Sequence, residues 1–462
     1  MKRFVHLIIS LLVMLGCYGC DNTKNTSPKI IEVVPELAET VVGKMVTFRS
    51  VVTDEDPSGL TYQWQCTCGS FHGEARNQSV DWKAPDEPGA CEISVTVSDG
   101  EYTDNYVFTV EVKDPGEGDG PTIGVYYYPW HGSGDFHGRN YLREHLVPVQ
   151  APELGEYNDR DHAVIAQHLD WSEYAGIDLW VSSWWGPEDL TDITLKDYIL
   201  QHSDLDQMKI ALFYETTARI PGFSDLSNVR SDIEYMAEHY FKHPNYYTID
   251  GKPVLFIYLT RVLSSQGTLE NTLEIMRDEA ENAGLELYIV GDQVFGQPPS
   301  FTGHIALLDA VTNYDVYGST GANMYATQGR VDSYYQAQEG WRDKAHEVGV
   351  SFIPATSPGF NDTGVRDGHI PLSRKLTEND EFGSLFQAMV NKAITLVDQG
   401  SYNLFMVTSW NEWHEDTQIE PVSLAPPTST DDSGSQQDYT AGMEYEGYGK
   451  RYLDILKASV GK

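Results

Sequence analysis

The sequence predicts an α/β protein, a (β/α)8 barrel preceded by a small β-sandwich. Three observations lead there. Between Gly124 and Thr408, short apolar runs alternate eight times with helical stretches, the strand–crossover–strand pattern that closes a parallel barrel. From Lys29 to Lys113 the chain reads as short alternating segments separated by Asp, Pro and Gly turns, the mark of a sandwich. The last apolar run, Leu404 to Val407, has no helical period and leads into Asn411, Glu412, Trp413, His414 and Glu415. A strand buried on both faces thus ends in a knot of polar and aromatic groups.

In chain order, Met1-Lys-Arg3 followed by the apolar stretch Phe4 to Leu15 reads as an export signal, too short to span a bilayer as a mature helix. Residues 1–20 are expected to be a lipoprotein signal segment with Cys17 carrying the lipid and Cys20 as the alternative acceptor. Export and anchorage to the bacterial outer membrane or cell surface follow. Residues 28–113 form the predicted sandwich, with strands at Ile30–Val34, Met45–Val52, Leu60–Gln65, Ser79–Lys83, Ile93–Ser98 and Tyr106–Val112. Trp64 and Cys66 share one strand face and Cys91, Ile93 and Val95 another. Either Cys66 or Cys68 is therefore expected to bridge to Cys91 between the sheets, with Cys66–Cys91 taken as the pairing. Residues 114–121 contain only turn formers and charges, which makes them a linker.

The predicted barrel occupies residues 122–462. Its strands are Gly124–Tyr128, Ile177–Ser183, Lys209–Tyr214, Val254–Tyr258, Leu287–Gly291, Ala310–Asn313, Val350–Ala355 and Leu404–Thr408, with amphipathic stretches such as Ala163–Tyr174, Leu269–Ala283 and Val331–His346 between them. The gap between the fifth and sixth strands holds no clear helix. Barrels gather their working residues at strand C-terminal ends, and here those ends carry Tyr127 and Trp130, Trp184 and Trp185, Tyr214 and Glu215, Tyr314 and Tyr317, then Asn411, Trp413 and His414. All eleven are candidate substrate-binding residues. Glu412 and Glu415, three apart on a turn, are the candidate catalytic pair, because two carboxyls on one side of a turn can serve as acid and base beside flat aromatic rings that stack on sugars.

Composition narrows the partners. Sixty-nine acidic against thirty-one basic residues give a charge of −38, which repels phosphate backbones and argues against nucleic acid. The fourteen histidines show no metal-ligand spacing, and the chain contains no phosphate loop, dinucleotide fingerprint or nucleophile elbow, so neither a metal nor a cofactor is expected.

The motifs Tyr127-Tyr-Pro-Trp-His-Gly132, Pro152-Glu-Leu-Gly-Glu-Tyr-Asn-Asp-Arg-Asp161, Ser183-Trp-Trp-Gly186, Pro358-Gly-Phe-Asn-Asp362 and Trp410-Asn-Glu-Trp-His-Glu-Asp-Thr-Gln-Ile-Glu-Pro421 together resemble glycoside hydrolase family 99, in order from about Ile123 to the C-terminus. The N-terminal module resembles immunoglobulin-like and PKD-like spacers. The first resemblance implies a (β/α)8 barrel, endo-α-1,2-mannosidase or mannanase activity with retention, and a poly- or oligosaccharide substrate. It also implies roles: Glu412 as a base on the sugar's own 2-hydroxyl, giving a 1,2-anhydro intermediate, and Glu415 as the acid that protonates the leaving oxygen. Two positions depart from the pattern. Phe213-Tyr-Glu-Thr-Thr217 stands where mannoside-active members have His-Ile-Glu-Pro, and Asp416 replaces a glycine. Those departures keep open a family 99-like hydrolase of another polysaccharide, or a surface lipoprotein that binds sugar without turnover.

Overall fold

A computed structural model describes residues 25–34, 39–41, 45–73, 75–85, 87–113, 121–205, 208–320 and 324–460. The signal segment, both candidate lipidation cysteines and nearly all of the linker lie outside the described residues. The chain divides into two compact units, residues 1–118 and 119–462.

The N-terminal unit contains two four-stranded sheets. Phe48 of one sheet and Trp64 of the other stack with ring centroids 6.5 Å apart, inside a core completed by Trp82, Cys91, Ile93 and Val95. Four of the six expected strands form within a residue of their predicted limits; the other two begin earlier, at Gly89 instead of Ile93 and at Thr103 instead of Tyr106. The three-residue strands Glu39–Val41 and Ser70–His72 were too brief to show a period. The disulfide joins Cys68 to Cys91, and Cys66 is a free thiol, which corrects the Cys66–Cys91 pairing. The reason is register. Thr61–Cys66 pairs antiparallel with Gly89–Ser98 and sets Cys66 opposite Ile93. Two residues further on, beyond the Thr67–Glu92 backbone bond, Cys68 comes opposite Cys91 with Cα atoms 5.4 Å apart. The bridge therefore closes neighbouring strands of one sheet and does not join the two sheets.

In the C-terminal unit every predicted barrel strand is present, and all pairings between neighbours are parallel. The seventh strand is split at Ile353 and Pro354. Its first half, Ser351–Phe352, bonds to the sixth strand, and its second, Ala355–Thr356, bonds to the eighth, Leu404–Val407. The eighth bonds to the first, Thr122–Tyr127, so the sheet curls round into a (β/α)8 barrel. Helices His162–Ala175, Val229–His239, Leu269–Asn282, Thr327–His346, Ser384–Ala393 and Arg451–Val460 lie between or after the strands. Only the short turn Ile305–Leu307 fills the gap between the fifth and sixth.

Successive strand residues point to opposite faces, and the barrel divides its core accordingly. Tyr126, Leu179, Val181, Ala211, Phe213, Phe256, Val290 and Met406 form one cluster inside the ring. Ile123, Val125, Trp180, Ile210, Leu212 and Leu255 belong to a second, shared with the helices. Because these clusters use no residue of the first unit, a fragment of residues 121–462 should fold cooperatively by itself, as a thermal melt followed by near-UV circular dichroism would show; a non-cooperative melt would mean that the two units share a core.

Candidate active site

The eighth strand ends at Val407, and the chain then makes a single 3-10 turn, Trp413–Glu415. Glu412 begins this turn and accepts a hydrogen bond from the His414 backbone N–H at 3.0 Å. Its own N–H donates to Ser409 Oγ at 2.9 Å. The two carboxyls then diverge. Glu412 lines a cavity of about 390 Å³ together with Trp130, His137, Arg139 and His414, while Glu415 lines one of about 370 Å³ with Tyr258, Tyr314, Asp315, Tyr317 and Phe360. Arg366 borders both cavities and bonds to Glu415 at 2.7 Å.

The surroundings treat the two acids differently. His414 Nε2 donates to the Arg139 carbonyl at 3.0 Å, and its Nδ1 lies 3.3 Å from Glu412 Oε1. A carbonyl can only accept, so Nε2 carries a proton, and Nδ1 needs a second one to face a carboxylate. Burial works against that imidazolium, but the hydrogen bond and charge of Glu412 outweigh burial and raise the His414 pKa. The pairing thus favours the protonated imidazole beside Glu412. Glu415 is pushed up to about 7, first by burial and then by the charge of Glu412, against the opposing pull of Arg366. A third carboxyl joins them. Glu215, buried, accepts from Ser183 Oγ at 2.6 Å and is pushed up to about 8 by burial, with the charges of Glu412 and Glu415 adding to the effect. Three acids sharing a low-dielectric site cannot all ionise near neutrality, and two of them, Glu215 and Glu415, are pushed toward the neutral form.

Aromatic side chains wall the cavities. Trp130 stacks on His137 at 4.2 Å between centroids, nearly parallel, and its indole N–H has no partner among the described residues. Tyr317 stacks on Phe360 at 3.9 Å and is fixed by its hydroxyl, which donates to the Ile370 carbonyl at 2.8 Å. Tyr314 meets Tyr128 hydroxyl to hydroxyl. Trp185 donates to Ser183 at 2.9 Å and so stands beside Glu215.

Five of the expected substrate-binding residues are elsewhere. Tyr127 points to the helix layer, stacked on Trp180 at 4.3 Å with its hydroxyl 3.0 Å from His168. Trp184 donates to Asp192 at 2.9 Å and Tyr214 to Asp232 at 2.8 Å, also in that outer layer. Trp413 is buried and donates to Glu420 at 2.9 Å. Asn411 is fully buried and braces the turn against the first strand, accepting from the Tyr128 N–H at 2.7 Å and donating to the Tyr128 carbonyl at 3.0 Å. These five are structural. The residues inward of three of them, Tyr128, Ser183 and Glu215, face the site, and counting in twos from Tyr126, Val181 and Phe213 identifies them. Tyr258 follows from the same count. Arg366, His137 and His369 sit on long irregular loops where no period gives a signal.

The model of glycosyl hydrolase family 99 matches residues 121–440. The chain belongs to glycosyl hydrolase family 99. Among curated relatives, glycoprotein endo-alpha-1,2-mannosidase of Rattus norvegicus is 25% identical over 339 residues, spanning 64% of this chain and 67% of that protein. Its counterpart from Xenopus laevis is 26% identical over 365 residues, spanning 70% and 72%. Two structures of the GH99 endo-alpha-mannosidase from Bacteroides thetaiotaomicron, 20% and 19% identical, cover 74% of this chain and 96% and 98% of theirs, with TM-scores of 0.48 and 0.45. As a member of family 99 the protein is a glycoside hydrolase.

The raised pKa of Glu215 makes stability depend on pH. Below about 4.5 the carboxyl is protonated whether the chain is folded or not, so it makes no difference. Between about 4.5 and about 8 the folded state keeps the proton that the unfolded chain has lost, and stability falls as pH rises through that window. Glu215→Gln cannot ionise, so its melting temperature should gain on the wild type as pH rises from 5 to 8; an equal offset at both pH values would show that Glu215 is not held neutral.

Proposed function

We propose that the protein is an exported, lipid-anchored, endo-acting retaining hydrolase of α-mannan-type glycans. The observation that carries the chemistry is the single turn bearing Glu412 and Glu415, one acid 3.3 Å from His414 Nδ1 and the other largely covered and raised to about 7. Glycoside hydrolysis needs one carboxyl ionised and one protonated at the same pH. Glu415 is the proton donor to the departing oxygen and then the base that activates water. Glu412 is the base that withdraws the proton from the 2-hydroxyl, so that the sugar supplies its own nucleophile. It follows that the reacting sugar occupies the cavity of Glu412, Trp130 and His137, and the leaving sugar that of Glu415, Tyr317 and Phe360. A cavity on either side of the acid pair suits cleavage within a chain. The mannan-type substrate rests on the relatives, which are named as endo-alpha-1,2-mannosidases.

The N-terminal unit serves in this reading as an immunoglobulin-like spacer between the barrel and the lipid on Cys17. Mass spectrometry of the native protein should find the first sixteen residues missing and a lipidated Cys17, whereas an unmodified N-terminus beyond Cys20 would remove the anchor.

The roles of the two acids are separable by leaving group. Glu415→Ala should cleave a glycosyl fluoride, whose leaving group needs no proton, far better than a natural α-mannan. Glu412→Gln should be poor on both, because the 2-hydroxyl needs its base whatever departs. Assistance by a general acid or base is typically worth ~10²–10⁴ in rate, a contrast that product analysis by mass and anomeric NMR would resolve. A covalent adduct of a 2-fluoro sugar on Glu412 would replace the anhydro-sugar route with a carboxylate nucleophile, and wild-type rates in both variants would remove the assignment.

As general acid, Glu415 works only while protonated. With its pKa near 7, kcat/KM should fall as pH rises through about 7. A rate that instead rises across that range would exclude Glu415 as the donor.

A further inference from the structure

Immediately after Glu415 the chain enters a left-handed conformation at Asp416, φ +47°, a region that non-glycine side chains visit at a cost. Asp416 is buried, and its two neighbours are buried arginines. Arg143 Nε lies 2.5 Å from Oδ1 and Arg374 Nε 3.2 Å from Oδ2, with none of the three side chains more than 3% exposed. Arg374 also holds the backbone, donating from Nη2 to the carbonyls of Asp416 at 2.7 Å and Gln418 at 3.0 Å. Arg143 is itself tied down by Gln150 Oε1 at 2.5 Å and the Glu446 carbonyl at 3.0 Å. Burial opposes the charge on Asp416, yet the two guanidiniums outweigh it and keep the carboxyl below its ordinary range.

The C-terminal segment closes this cluster. The guanidinium carbons of Arg143 and Arg374 each lie 5.0 Å from the ring centre of Tyr448, and Arg374 lies 4.8 Å from that of Tyr452. The Tyr448 hydroxyl bonds to the carbonyls of Gln418 at 3.1 Å and Glu420 at 2.7 Å. Both tyrosines come after residue 440, where the family match ends. On the other side of the turn, the Asn361 N–H donates to the Glu415 carbonyl at 2.7 Å. The peptide carrying Glu415 is thus pinned from both directions.

Buried ion pairs are a poor source of net stability, since apolar side chains of similar size often serve as well, whereas they do fix geometry. We propose that Arg143, Arg374 and Asp416 form a positioning clamp, closed by Tyr448, that sets the direction in which Glu415 enters its cavity. The left-handed turn aims the carboxyl, and the clamp holds a backbone conformation that aspartate would otherwise abandon. The inference rests on Glu415 being the proton donor, so the test follows this carboxyl directly as well as through turnover.

In the full chain carrying 13C-labelled glutamate, the side-chain carboxyl of Glu415, identified by its loss in Glu415→Gln, is titrated by NMR in wild type, Asp416→Asn and Tyr448→Phe. Glu412, Arg366 and Asp362, which also act on Glu415, are unchanged in both variants. The wild-type signal should titrate near 7 and move down toward the ordinary carboxyl range in Tyr448→Phe, which changes no charge, as the turn loosens and water reaches the group; in Asp416→Asn the loss of a neighbouring negative charge adds to the shift. With α-1,2-linked manno-oligosaccharide, kcat should fall about 10²-fold in Asp416→Asn with KM little changed, the pattern of misplacement at the reacting centre, and by less in Tyr448→Phe. Tyr448→Phe keeps the ring over both guanidiniums and removes only the hydroxyl, so it carries the test if Asp416→Asn does not fold. Wild-type titration and kcat in a folded variant, with only the melting temperature lowered, would overturn the clamp. A displaced Glu415 titration in Tyr448→Phe, in a protein whose wild type is inactive on this glycan, would uphold the clamp and count against the proposed substrate.

Discussion

The site depends on one geometric constraint, the two-residue alternation of side chains along eight parallel strands. Where each strand runs out at the barrel mouth, a step of one residue decides whether a side chain reaches the cavity or the helix layer. The ring spends its inward positions on Tyr128, Ser183, Glu215, Tyr258 and Tyr314, all neighbours of the acid pair, and turns Tyr127, Trp184 and Tyr214 outward to hydrogen-bond with His168, Asp192 and Asp232. The outward residues are not idle. They anchor the strand ends to the helices, so the inward groups stand on backbone that cannot shift.

This constraint also explains what could be read from the sequence. The eight strands, most helices and the placing of Glu412 and Glu415 on one turn were legible because each rests on a local signal, an apolar run, a helical period or a dense motif. The missing helix between the fifth and sixth strands is real, with only the turn Ile305–Leu307 in its place. Site residues were less legible, because aromatic clustering at strand ends does not say which member of a Tyr-Tyr or Trp-Trp pair points inward. Counting parity from the strand interior would have replaced Tyr127 by Tyr128 and Trp184 by Ser183. The disulfide is the same lesson in the first unit, where the register that sets Cys66 opposite Ile93 leaves Cys68 for Cys91. Arg366, His137 and His369 had no such handle, since irregular loops are placed by tertiary contacts alone.

Electrostatically the cavity is built on inequality among similar groups. Burial raises the pKa values of Glu215 and Glu415, with the charge of Glu412 adding to both, while Glu412 is the one of the three that pairs with a histidine among the described residues. Arg366 bonds to Glu415 but is about half exposed, so water screens it and its pull is outweighed by burial. Moving Arg366 inward would lower the proton affinity of Glu415 and, in the proposed mechanism, weaken it as an acid.

The loop residues around Glu412 show how such a cavity is held open without regular structure. Phe136, His137, Gly138, Arg139 and Asn140 all have positive φ, from 51° to 80°, and four of them carry side chains that disfavour it, at roughly 1–2 kcal/mol each. Each of the four is fastened. Phe136 is buried against His131 and Tyr157, His137 stacks on Trp130, Arg139 pairs with Glu144 and Glu156, and Asn140 bonds to the Gly364 carbonyl. The Arg139 carbonyl, turned inward by this conformation, is the acceptor that leaves His414 with a proton on Nε2. The strained backbone of this loop therefore places the acceptor that fixes the His414 proton on Nε2 and turns Nδ1 toward Glu412.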